Sequence, residues 1–99
     1  MKMIYEKIED IHEELESAQE YAEKYIKFKA RGNTSHANKF KEMAHDELKH
    51  AQALYEMSTE DIEQLNKVYT LREDEEREWE HCLKHYAERV ALTRHILAM

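Results

Sequence analysis

Residues 4–25, Ile-Tyr-Glu-Lys-Ile-Glu-Asp-Ile-His-Glu-Glu-Leu-Glu-Ser-Ala-Gln-Glu-Tyr-Ala-Glu-Lys-Tyr, decide the fold. Their apolar positions, Ile4, Ile8, Ile11, Leu15, Ala18, Ala22 and Tyr25, alternate steps of four and three without a miss. A 3.5-residue average keeps one helical face apolar and the other charged, whereas a strand would alternate every second residue. The spacing predicts a helix of about seven turns that buries this single stripe.

Outward from that stretch, Ala30, Arg31, Gly32 and Asn33 break the rhythm. Gly32 suits the left-handed residue that ends a helix, and Thr34 or Ser35 can cap the next one. A second helix carries Phe40, Ala44, Glu47, Ala51 and Leu54 on the same rhythm, widened by Met43, His50 and Met57 on one side and Leu48 and Tyr55 on the other. Ser58, followed by Glu60 and Asp61, reads as an N-cap with first-turn acids, opening a third helix through Ile62, Leu65, Val68, Tyr69 and Leu71. The run Arg72 to Glu78 has no apolar residue and reads as a solvated stretch where that helix bends, before Trp79, Leu83, Tyr86, Val90 and Leu97 resume a stripe. The expected architecture is all-α: one domain over 1–99, an antiparallel hairpin over 3–57 and a third helix over 59–98, either continuous with room for a bend near 72–78 or divided into two shorter helices.

Composition agrees. One Gly and no Pro in 99 residues leave little to interrupt helices. With 22 acidic against 15 basic residues the formal net charge is −7, which disfavours a nucleic-acid partner and suits cation attraction. The single cysteine, Cys82, forms neither an internal disulfide nor a thiolate metal cage, and beside an apolar stripe it reads as a small buried hydrophobe. No long apolar run suggests a membrane span or a leader, so the expected location is the cytoplasm.

The chemistry lies where charge intrudes on the stripes. Glu47-Leu48-Lys49-His50 sits in the second stripe, and Glu14 lies 33 residues before Glu47. A carboxylate at a core position costs several kcal/mol unless it is paired or bound to a cation. The i, i+3 spacing of Glu47 and His50 stacks both side chains on one face. Helical phase selects Glu14 from the many acids of the first helix, because Lys7, Glu14, Tyr21 and Phe28 form one column flanking the core, whereas Glu9, Glu13, Glu16, Glu20 and Glu23 lie toward the opposite side. A dinuclear carboxylate site in a four-helix bundle takes a Glu from each of two helices and a Glu-x-x-His from each of the other two, so this hairpin holds half of one. Oxygen and imidazole donors suit Fe, Mn or Zn.

Glu14-Leu15-Glu16-Ser17-Ala18-Gln19-Glu20-Tyr21 followed by Ala44-His45-Asp46-Glu47-Leu48-Lys49-His50-Ala51 resembles the paired motifs of the ferritin-like superfamily, with the rubrerythrin half-repeat spacing. The single pair, short length and trailing third helix are most similar to the encapsulated ferritins. That resemblance implies a homodimer completing a ferritin-like four-helix bundle, a higher homo-oligomer of dimers, and two Fe ions at each dimer interface, with Ca, Zn or Mn as substitutes. It implies ferroxidase activity, Fe(II) to Fe(III), for iron storage or detoxification. Glu14, Glu47 and His50 would be the catalytic metal ligands, Tyr21 an aromatic neighbour, and Glu13 and Glu16 acids where metal enters. It also implies an encapsulin shell as partner and location, although the chain ends Arg94-His95-Ile96-Leu97-Ala98-Met99 without the Gly-rich apolar targeting segment usual in that family.

The competing expectation is a metal-free or metal-stapled helical oligomerisation module, with Glu14, Glu47 and His50 as a polar layer that sets register. Glu78-Trp79-Glu80-His81 is a second Glu-x-x-His, and His81 with His85 has the i, i+4 spacing of a helical metal pair. The stretch from Ser58 to Leu71 is too short to supply its partner Glu, so His81 and His85 are expected to pack around Trp79 and face solvent.

Overall fold

The computed structural model describes residues 2–99, leaving Met1 outside the described residues. It is all-helical, with 89% of residues in three helices: α1 (Lys2–Ala30), α2 (Thr34–Asn66) and α3 (Glu73–Leu97). α1 buries Ile4, Ile8, Ile11, Leu15, Ala18, Ala22 and Tyr25, the seven residues of the opening stripe and no others. A Schellman turn ends the helix. The amide of Gly32, at φ 75°, donates to the Lys29 carbonyl, and that of Asn33 to the Phe28 carbonyl. The α2 cap is Asn33 rather than Thr34 or Ser35, its side-chain oxygen accepting from the His36 amide.

α2 departs from expectation at Ser58, where the helix continues for two more turns to Asn66. Ser58 is buried on the core face with Ala51 and Ile62, a small side chain in a helix-packing position rather than a cap. The chain breaks instead at residues 67–72, and the acidic run predicted as a solvated bend is the first turn of α3. Glu75 makes that turn. It is fully buried, and its carboxylate accepts from the Arg72 amide at 2.9 Å and from the Tyr69 hydroxyl at 3.1 Å. Glu73, Asp74 and Glu76 beside it put negative charge at the positive end of the helix dipole.

The helices run up, down and up in a rod of 55 × 18 × 17 Å. Tyr5 bonds Asp74 at the lower end and Lys29 bonds the Met99 carbonyl at the upper end, so α3 lies parallel to α1. It seals only one seam of the hairpin. His12 of α1 meets His85 of α3, and Tyr55 of α2 stacks on Tyr86 of α3 at 4.2 Å. The α2 core accordingly turns toward that seam: Leu48 is buried, whereas Phe40, Glu47 and Leu54, all expected in the stripe, are half-buried. Cys82 is fully buried, as expected. Among the described residues no helix is long and apolar enough to cross a membrane.

Candidate metal centre

Glu14 and His12 are two residues apart, about 200° around a helix, so with His12 turned to α3 the Glu14 side chain faces the opposite seam. That seam is open. On it lie Tyr21 and Phe28 of α1 with Phe40, Met43, Glu47, His50, Leu54 and Met57 of α2. Met43 and Met57 are exposed, and a cleft of about 350 Å³ lined by Phe28, His36, Lys39, Phe40 and Met43 occupies its hairpin end.

Counted from the turn, Glu14 sits about one helical turn farther along its helix than Glu47. The hairpin absorbs the offset by placing Glu14 level with the Glu47–His50 pair. His50 Nδ1 lies 3.7 Å from a Glu14 oxygen and 3.6 Å from a Glu47 oxygen. One donor atom from each of the three residues fits within 4.8 Å of the others, the one such acidic or imidazole cluster among the described residues. Side-chain exposures of 30% for Glu14, 23% for Glu47 and 60% for His50 put the carboxylates part-way out of water and the imidazole at the rim.

Two carboxylates this close resist carrying two negative charges. A hydrogen bond to Glu47 is the largest influence raising the Glu14 pKa above its ordinary value; burial and the Glu47 charge add to it, and His50 opposes it. A bound cation would remove the conflict, and two carboxylates with one imidazole match Fe(II), Mn(II) or Zn(II). One chain supplies three donors, fewer than two such ions need.

The remaining candidates stand apart from this cluster. Tyr21 stacks on Phe40 at 6.2 Å, Phe40 stacks on Phe28 at 5.3 Å, and the Lys24 ammonium sits over the Tyr21 and Phe40 rings, so Tyr21 belongs to an aromatic group two turns farther up the flank. Glu13 and Glu16 are solvent-exposed. Glu13 lies about 100° and Glu16 about 200° around α1 from Glu14, so within one chain Glu16 is on the far side from the cluster. His81 is exposed as expected, but His85 packs against His12 rather than standing free. The shared column of Tyr5, His12 and Gln19 was the available signal that α1 has a second, polar seam. Comparison with known protein families, with curated proteins and with solved structures finds no match for this chain.

Proposed function

We propose that two chains dock their open α1–α2 flanks antiparallel to form a ferritin-like four-helix bundle, and that the bundle oxidises Fe(II). The observation that carries the reading is the meeting of Glu14, Glu47 and His50, drawn from two helices, within 4.8 Å on the one seam that α3 leaves uncovered. Doubling the cluster supplies four carboxylates and two imidazoles, the donor set of a dinuclear carboxylate centre. The exposed Met43 and Met57 and the half-buried Phe28, Phe40 and Leu54 supply apolar area for the docking.

In this reading Fe(II) is the substrate and gives up one electron per ion to dioxygen. The residues have separable tasks. Glu47, the least exposed of the three, holds the ion pair from the centre, and its charge favours the ferric product. His50 supplies a neutral donor at the rim. Glu14, whose pKa is raised by Glu47, takes up a proton when product leaves more readily than an isolated carboxylate would. In the metal-free state four carboxylates would face one another, so association depends on the cation.

The test is aerobic Fe(II) oxidation and metal content of the purified protein beside the Glu47→Ala and His50→Ala variants, with sizing in Fe(II) and in chelator. Loss of oxidation in both variants, together with a Fe(II)-dependent dimer, is the expected result. A dimer equally stable in chelator would overturn the assembly scheme. One observation favours a second reading, a metal-free or metal-stapled oligomerisation module: His50 Nδ1 already lies 3.7 Å from a Glu14 oxygen and 3.6 Å from a Glu47 oxygen, so the three side chains can form a polar layer by themselves. In that case the variants change dimer stability while iron oxidation stays at the solution rate. Zn, Mn or Ca binding without oxidation would mark the stapled form.

A further inference from the structure

The sealed seam holds chemistry that the iron site does not use. α3 presents His81 and His85 one turn apart, with rings near parallel at 17° and centroids 6.3 Å apart. α1 brings His12 edge-on to His85 at 4.6 Å. Among the described residues, four buried side-chain polar atoms lack a hydrogen-bond partner: His12 Nε2, Gln19 Oε1, Arg89 Nε and Thr93 Oγ1. All four belong to α1 or α3, and a buried polar group without a partner is destabilising. A nitrogen lone pair or N–H left idle beside two further imidazoles is an unusual core feature.

We propose that His12, His81 and His85 form a binding site for one divalent transition ion of the Zn(II), Co(II), Ni(II) class, bridging α1 and α3. Imidazoles four residues apart on a helix chelate a single ion from one face, and a third from a neighbouring helix gives the three-histidine set whose fourth position takes water. Metal–nitrogen bonds of about 2.0–2.1 Å, at ligand angles between right and wide tetrahedral, put the ring centroids of two histidines on one ion roughly 4.5–6 Å apart. The His12–His85 pair falls inside that span. The His81–His85 pair lies outside it, and the three rings do not bring their donor nitrogens within 4.8 Å of one another as they stand, so His81, being exposed, is the ring that must turn inward on binding. Arg89, one turn beyond His85, opposes a cation, while Glu88 offsets it. No carboxylate ligand is needed, so the donor set differs from that of Glu14, Glu47 and His50, while Zn(II) suits both.

The site is independent of the iron reading, and its test uses no oxidation assay. Chelator-treated full-length protein is dialysed against Zn(II), and the wild type is compared with His81→Ala, His85→Ala and Glu47→Ala, each checked by circular dichroism for retained helix. Glu47→Ala should keep a Zn(II) site of one ion per chain, while His81→Ala and His85→Ala, each made in the Glu47→Ala background, should weaken it at least tenfold. Co(II) in the same site should give the intense visible absorption of a low-coordinate nitrogen environment, lost in His85→Ala. Zn(II) binding unchanged in both histidine variants, or abolished by Glu47→Ala alone, would overturn the assignment, as would a wild type that binds no Zn(II) stoichiometrically.

Discussion

Glu47→Gln separates the demands of folding from those of function at the carboxylate cluster. In wild type the Glu14 and Glu47 oxygens lie within 4.8 Å. Two unit charges at that outer limit repel by about 0.9 kcal/mol in water and about 3.5 kcal/mol at an effective dielectric of 20. Both side chains remain partly exposed, so the lower figure governs and removing one charge should stabilise the metal-free chain by about 1 kcal/mol. For a domain of this size that raises Tm by roughly 4–8 °C. The pH dependence fixes the cause. Because Glu47 raises the folded-state pKa of Glu14 above 4.5, the folded chain holds its proton longer than the unfolded chain. The resulting stability is present below 4.5 and lost as pH rises through the raised value. The variant escapes that loss, so its advantage should appear above pH 4.5, vanish below it and shrink with added salt. Thermal unfolding followed by far-UV circular dichroism in chelator reads this directly, and repeating it with Fe(II) should stabilise the wild type but not the variant. A variant less stable than wild type at neutral pH, or equally advantaged in acid, would refute the reasoning.

Glu75→Ala strands the Arg72 amide and the Tyr69 hydroxyl and removes a fully buried partner, so it should cost about 2–4 kcal/mol, measurable by urea unfolding. Burial is the largest influence lowering the pKa of both His12 and His85; His81 and Arg89 lower it further for both rings, His85 does so for His12, and Glu88 alone opposes, at His85. The unfolded chain therefore takes up protons first, and metal-free stability should fall as pH drops below 6.5; His85→Gln should flatten that slope in acid titrations. Cys82 is fully buried, with its thiol pushed up to about 11, so native protein should resist iodoacetamide while urea-unfolded protein labels quickly, as read by mass spectrometry.

The α1 stripe was fully legible because each of its seven positions is apolar and local periodicity alone orients a helix. The turn at Gly32 was legible because only glycine readily takes a positive φ there. Choosing Glu14 among the acids of α1 also needed only phase, and the hairpin brings it to Glu47 and His50.

Within residues 58–78 the helix start at Ser58 and the burial of Glu75 were misread, because capping signals are degenerate, while the rest of the charged run is exposed as expected. Ser58 with acids behind it looks the same as a cap or as a small residue in a tight helix contact, and only the burial of Ser58 against its neighbours selects the second. Glu75 in an acidic run looks solvated until the fold wraps Tyr69 and Arg72 around it. The histidine seam was hidden for the same reason, since His12 and His85 are 73 positions apart and meet only when α3 docks on α1. Local pattern thus determined the α1 stripe, the turn at Gly32 and which flank of each helix carries Glu14, Glu47 and His50. Tertiary packing alone decided which seam of the hairpin is sealed and which is left open, because that choice depends on long-range burial that periodicity does not encode.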